Sequence, residues 1–535
     1  MKRYLLSIYI LLIGTLLTSC SDFLDVTPEG TPSQNTFFRT DKDATDAIDA
    51  LYWIMGQETT FGRNLFYEQA GGGDDFIWGR SRGFNTLANF HFTGDESPLR
   101  ENWEIFNQYI ARANWIISSL LKKGTGNLSA IETRSLGEAY FMRGWCHFIL
   151  AYRYGRADQG IPFTRYEDYG DGYDYSIPEQ QTSVMKNYEM VVSDLDNAIK
   201  CLPYFSEYAE SNWGRAHKAA AIALKVKVLA YWAQYDNSKW ALIPELVNTL
   251  ETDCGRGLLP HFADVFKIEN NWSKEYIWSV TSKGSSEAGS EFPGVVLENK
   301  GWGKYNGWGY MKPTLGLYEE FKDGDERRAV TLLEYGQKFT FLGEERSYYS
   351  ASDFESGFML NKYMEPFSYG SNGDLTTNPH ISQNGDDPTT DLNLPLIRFA
   401  EMVLFKAEAL IQLGRGAEAA TELNRLTSRA GLGNVYTIAT MNDLMHERRC
   451  ELAGEFTDRF ADLKRWKQYD KLNAPKYGRH YADRTNPNST WTKVQIWPLG
   501  SETRAFEPDY DMVFPYPTQE VAKAGGKLKQ NPIGN

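Results

Sequence analysis

The chain has 535 residues, with 56 Lys+Arg against 70 Asp+Glu and a formal net charge of −14. Its 42% apolar and 24% charged residues are ordinary for a folded protein and exclude the disordered class, and at ~150 residues per domain the length suggests roughly three to four units. The acidic balance excludes a basic stripe for nucleic acid or a polybasic membrane patch, and seven His leave little for a His-rich metal or relay site.

At the N-terminus, Lys2 and Arg3 precede an apolar run from Tyr4 to Leu17, which gives way to Thr18-Ser19-Cys20. A short positive start, a hydrophobic stretch of ~14 residues and then small residues read as a secretory signal over 1–19, too short to span a bilayer. Leu17-Thr18-Ser19-Cys20 also looks like a lipobox, in which Cys20 becomes the lipidated first residue of the mature chain. Acyl chains such as palmitate, at ~0.8 kcal/mol per buried methylene, would hold that chain on a membrane without crossing it. Residues 20–40 follow as the lipidated tether.

Helical periodicity begins near Asp41, with Ala44, Ile48, Leu51 and Tyr52 on one face. A second run covers Arg100 to Lys123 and a third Ser129 to Tyr154; further helices are expected over 181–201, 214–235, 398–413, 416–430 and 440–468. Ala407-Glu408-Ala409-Leu410-Ile411-Gln412-Leu413-Gly414, followed by Ala417, Ala420, Leu423 and Leu426, has the look of a tetratricopeptide-type hairpin. Such hairpins bury one face on a neighbour, so the fold class is mostly α, a helical-hairpin scaffold with long loop-rich inserts. The expected units are a helical region over 41–260 with a loop insert at 60–98, a loop-rich ligand-binding insert over 261–397, and a helical region over 398–535.

The inserts carry the distinctive chemistry. The first contains Asp74, Asp75, Trp78 and Arg80; the second contains Gly301-Trp302-Gly303-Lys304-Tyr305-Asn306-Gly307-Trp308-Gly309-Tyr310. Long structured loops on a helical scaffold are where binding residues concentrate. A third, weaker surface is the stretch from Tyr166 to Tyr175, with four Tyr among Asp and Gly. Apart from Cys20, the cysteines Cys146, Cys201, Cys254 and Cys450 are widely spaced and support no particular pairing. Asp323-Gly324-Asp325-Glu326 and the set Asp168, Asp171, Asp174 offer oxygen ligands for a structural calcium, but neither has EF-hand spacing, so no cofactor is expected.

Several strings in a fixed order resemble the SusD/RagB family of outer-membrane nutrient-binding lipoproteins. They start at Cys20-Ser21-Asp22-Phe23-Leu24-Asp25 and continue through Trp103-x-x-Phe106-x-x-Tyr109-Ile110 and Ala139-Tyr140-Phe141-Met142-Arg143-Gly144-Trp145. Later come Arg398-Phe399-Ala400-Glu401, Glu447-Arg448-Arg449-Cys450-Glu451-Leu452-Ala453-Gly454-Glu455, Arg459-Phe460-Ala461-Asp462 and Phe514-Pro515-Tyr516-Pro517. The resemblance implies a lipid-anchored protein on the outer face of the outer membrane of a Gram-negative bacterium. It also implies binding of an oligosaccharide or, in some members, a peptide, no covalent chemistry, and partnership with a TonB-dependent SusC-like barrel.

On that premise the rings gain a role. A sugar offers an apolar C–H face to flat aromatics and a hydroxyl rim to Asp, Asn and Arg. The candidate ligand contacts are therefore Trp302, Tyr305, Asn306, Trp308 and Tyr310, with Asp74, Asp75, Trp78 and Arg80 from the first insert. The competing reading is that these rings pack loops onto helices. Trp103, Trp145 and Trp466 sit on helical faces and read as core, and Glu447-Arg448-Arg449 with Arg459 reads as a structural ion-pair network. An enzymatic alternative, a glycosidase with two carboxylates, has only adjacent pairs to offer: Asp74-Asp75, Glu319-Glu320 and Asp386-Asp387. Adjacency on a loop does not set that geometry.

Overall fold

The computed structural model describes residues 38–78, 85–170, 173–284, 292, 307, 309–349, 356–382, 389–500 and 502–534. The signal, Cys20 and most of the tether lie outside the described residues, as do Arg80, Trp302, Tyr305, Asn306, Trp308, Asp171 and the Asp386-Asp387 pair.

The longer helices are α1 (Asp41–Tyr52), α2 (Asn64–Gly71), α3 (Ser97–Lys122), α4 (Ala130–Tyr154), α5 (Val184–Cys201), α6 (Lys218–Trp232), α7 (Ile243–Thr252), α8 (Phe399–Gln412), α9 (Gly416–Arg429), α10 (Met441–Leu452) and α11 (Arg459–Arg465). Local chemistry sets their starts. The Thr40 hydroxyl accepts from the Asp43 amide while the Asp43 carboxylate accepts from the Thr40 amide, and Ser129 with Glu132 and Thr440 with Asp443 repeat this reciprocal cap. Helices α3 to α7 pack in sequence, each on the next, α8 pairs with α9, and α8 also lies against α6 and α7. The two helical regions thus share one hydrophobic core. The architecture is mostly helical and tetratricopeptide-like, as the hairpin pattern predicts.

Two expectations about the elements fail for physical reasons. The stretch 440–468 is two helices, because Gly454 turns the chain at φ +80° and Asp458, at φ +57°, accepts from the Ala461 amide to begin α11. The insert at 60–98 is not only loop: α2 runs through it with all eight residues buried, so no polar face exposes its period.

Short antiparallel ribbons organise the inserts. Strands β1 (Phe76–Ile77), β2 (Tyr276–Val280), β3 (Lys312–Pro313), β4 (Leu332–Glu334), β5 (Lys338–Phe341), β6 (Glu344–Ser347), β7 (Phe358–Leu360) and β8 (Leu394–Arg398) are followed by a late hairpin of β9 (Lys476–Tyr481) and β10 (Trp491–Trp497). β2 pairs with β8, Tyr276 opposite Arg398 and Val280 opposite Leu394, so the second insert is closed at its root. Within it β4–β7 and β5–β6 enclose a small separate core that includes Leu333, Phe341, Tyr348, Met359 and Phe367. β1 pairs with β3, Phe76 opposite Pro313 and Ile77 opposite Lys312, which joins the first insert to the second. All four described cysteines are free thiols, and Cys146 is buried in the core.

Candidate functional site

The β1–β3 pairing brings both candidate segments to one place. Trp78 directly follows β1 and Tyr310 lies just before β3. Both rings meet Tyr67 of α2 edge to face, at centroid distances of 4.6 Å and 5.6 Å. Trp78 is 4% exposed and Tyr310 3% exposed. The close fit depends on α2 ending in glycine. A Cβ on Gly71 would stand 2.5 Å from the Trp78 ring, and one on Gly72 would stand 2.6 Å from the Phe460 ring. Trp78 and Tyr310, expected to present open stacking faces, instead form a buried floor against Tyr67.

The two aspartates are likewise structural partners. Asp74 accepts from Arg459 Nε at 2.9 Å and faces Arg449 Nη2 at 3.3 Å, while Asp75 accepts from Arg449 Nε at 2.7 Å. Glu320, also bonded to Arg449, lies 2.7 Å from His446 Nδ1. Burial alone would push the Asp74 carboxyl up, but Arg449 and Arg459 outweigh it and hold it well below the usual carboxylate range. Burial pushes Asp75 up, and neighbouring Asp74 adds to that despite Arg449. Glu320 is drawn down to about 2 against its burial by His446 and Arg449. Asp74 and Asp75, expected as rim contacts for a ligand, thus have oxygens that already accept from guanidinium groups. A cavity of about 20 Å³ beside them has room for about one water and not for a sugar.

Sequence reasoning missed the cations that fix the glycine run. Arg504 donates to the carbonyls of Gly72 and Gly73 at 2.8 and 3.1 Å, and Lys476 to that of Phe76 at 2.7 Å. Both are buried, and burial draws Arg504 down to about 9 and Lys476 well below its usual range. No signal inside residues 71–78 identifies partners some four hundred residues later. The expected ion-pair network around Glu447-Arg448-Arg449 is present: Glu447 binds Arg327 at 2.8 Å, and Arg448 binds Asp462 at 2.6 Å and Glu401 at 3.1 Å. Trp103 and Trp145 are core, and Trp466 is half-buried with its Nε1 donating to Glu408 at 2.8 Å.

Of the residues considered for calcium, Asp325 and Asp174 have other partners. Asp325 accepts from Arg327 at 2.8 and 2.9 Å, and Asp174 caps the Ser176 amide at 2.9 Å. Among the described residues, no group of three or more His, Cys, Asp or Glu is placed to hold a metal ion. Of the third surface, Tyr166, Tyr169, Tyr173 and Tyr175 form one array in which Tyr169 and Tyr173 are exposed.

A model of the SusD family matches residues 274–533, and a model described as starch-binding, associating with outer membrane, matches residues 22–229. SusD-like protein P2 of Formosa agariphila is 26% identical over 577 residues, covering 99% of this chain and 100% of that protein. A SusD-like protein of Bacteroides ovatus is 24% identical over 485 residues, covering 85% of this chain and 82% of its own. Among solved structures, a SusD-like protein from Bacteroides fragilis superposes with a TM-score of 0.74 at 18% identity, covering 94% of this chain and 99% of that one. Surface glycan-binding protein A from Bacteroides thetaiotaomicron, solved in complex with laminarihexaose, gives 0.68 at 21% identity, covering 92% and 99%. These structural likenesses establish the shared fold.

Proposed function

Since this chain belongs to the SusD family, we propose that it is a surface glycan-binding lipoprotein, anchored through Cys20, that captures oligosaccharide outside the outer membrane and passes it to a TonB-dependent, SusC-like barrel. The observation that carries the reading is the meeting of the two inserts on Tyr67, where Trp78 and Tyr310 pack on one ring and β1 pairs with β3. A stacking site assembled from two segments needs such a rigid base, since each ring ordered on binding otherwise costs conformational entropy. The laminarihexaose complex of a structural neighbour matched over 99% of its chain and the starch-binding description of the matching family model support a glycan as the ligand. No described helix is long and apolar enough to cross a membrane, and the anchor proposed here is Cys20.

Binding without catalysis is the reading that the carboxylates support. Asp74, Asp75 and Glu320 are held in pairs with Arg449 and Arg459. A general acid or nucleophile must instead be free to face a glycosidic oxygen or anomeric carbon. The test is a glycan array probed with the full chain, with reducing-sugar release assayed in parallel. Retention of neutral glycans with micromolar to millimolar affinity, roughly −4 to −8 kcal/mol, and no sugar release is expected. Sugar release, or retention of no glycan, would overturn it.

A further inference from the structure

We propose that Tyr166, Tyr169, Tyr173 and Tyr175, with the cavity beside them, form a second carbohydrate site that takes the apolar faces of uncharged pyranose units in a long glycan chain. The inference rests on the glycan-binding reading above but concerns a different place: none of the residues lining this cavity belongs to either insert.

The four rings form a continuous array. Tyr166 and Tyr175 lie 3.8 Å apart between centroids, Tyr169 and Tyr173 stack at 4.0 Å with their planes 26° apart, and Tyr173 reaches Tyr175 at 5.0 Å. Tyr169 and Tyr173 remain 40% and 37% exposed, so stacking on each other leaves outer faces open to solvent. Rings held this way on a short loop serve no core, and paired exposed aromatics mark interaction surfaces.

The inner pair of the array, Tyr166 and Tyr175, is held before any ligand arrives. Fully buried Arg143 grips Glu167, next to Tyr166, with two bonds of 2.6 and 2.9 Å, and grips Asp194 with two of 2.6 and 2.8 Å. Tyr175 donates its hydroxyl to the Tyr166 carbonyl at 3.3 Å. Little ordering cost would remain on binding.

Tyr166 and Tyr175 also form one wall of a cavity of about 270 Å³, closed by Ile110, Phe163, Ile177 and Leu528 and rimmed by the polar groups of Asn107, Glu520 and Lys523. That volume lies just under the ~300 Å³ at which pockets begin to enclose a drug-sized ligand, and so suits part of a chain that continues over Tyr169 and Tyr173. Flat rings beside a polar rim match a pyranose, with one C–H face and a hydroxyl edge. The exposed carboxylates of Asp168, Asp174 and Glu179 on the same loop, in a chain of net charge −14, repel sulfated or uronic-acid polymers and favour neutral ones.

A second contact on one chain acts through effective concentration, so it affects polymers more than short oligosaccharides. The experiment compares the wild type with Tyr169→Ala/Tyr173→Ala and Tyr169→Phe/Tyr173→Phe. Each is run in affinity gels containing laminarin, amylose or another neutral polysaccharide of a panel, and titrated with the matching hexasaccharide. The Ala pair should keep its melting temperature and its hexasaccharide affinity within about twofold, yet lose polysaccharide retardation by roughly fivefold or more. The Phe pair should keep most of it. Polysaccharide retardation unchanged in the Ala pair overturns the second site while leaving the glycan-binding reading intact. A wild type that binds no glycan of the panel overturns both. Loss of a crosslinked protein partner in the Ala pair with retardation unchanged would assign the rings to a protein contact and likewise overturn the proposal.

Discussion

Trp78 carries two duties that a sequence does not separate: it ends one candidate segment, and it fills the space above Gly71 against Tyr67. Replacing so buried a ring leaves a cavity, and Trp78→Ala should cost ~3–5 kcal/mol of unfolding free energy, read as a fall in the urea midpoint. A change below 1 kcal/mol would mean that Trp78 is not part of the floor. Such a result would return it to the ligand-contact role that its loop sequence suggests. The same ambiguity explains the aspartates. Asp74 and Asp75 look like rim groups for sugar hydroxyls, and only folding brings Arg449 and Arg459 to them. The charge string at 447–449 was legible as an ion-pair network, because charged residues that a helix carries into the core need partners there.

Among elements, the link between the second insert and the helical scaffold is ionic. Arg398 at the end of β8 binds Glu275 at 2.9 Å and Glu451 of α10 at 2.7 Å, while Arg429 of α9 binds Glu275 at 2.7 Å and also contacts Glu451. Burial would raise the Glu451 carboxyl, but Arg429, Arg398 and Arg327 draw it from 4.5 down to about 2. A depressed carboxylate stabilises the fold fully above its unfolded value and loses that contribution as pH falls through its folded value. Glu451→Ala should therefore cost ~3–5 kcal/mol at pH 7, where it takes one carboxylate partner from the buried guanidinium groups of Arg398, Arg429 and Arg327. Its deficit against the wild type should shrink between pH 4.5 and 2. A deficit that is small at pH 7, or constant over that range, would contradict the network. Helix α7 was not among the expected segments, whereas α3 to α6, α8 and α9 were readable from their apolar faces to within a few residues. α2 was not, since burial on every side removes the periodic signal, and the break at 453–458 depends on two left-handed residues that the apolar pattern does not encode.

For the whole molecule, the helical regions form one core and the inserts are tied to it at both root and floor. That two inserts separated by some two hundred residues would meet was implied by the family resemblance and lay beyond what residue spacing conveys, since a two-residue strand such as β1 has no periodic signature. The central claim is that these inserts serve a glycan site. It is tested most directly by calorimetric titration of the wild type and of Trp302→Ala/Trp308→Ala with the neutral oligosaccharide that the array selects. The account predicts that the double variant loses about 1 kcal/mol or more of binding free energy while its melting temperature stays close to that of the wild type. Unchanged affinity in a folded double variant, or unfolding of the variant, would contradict it.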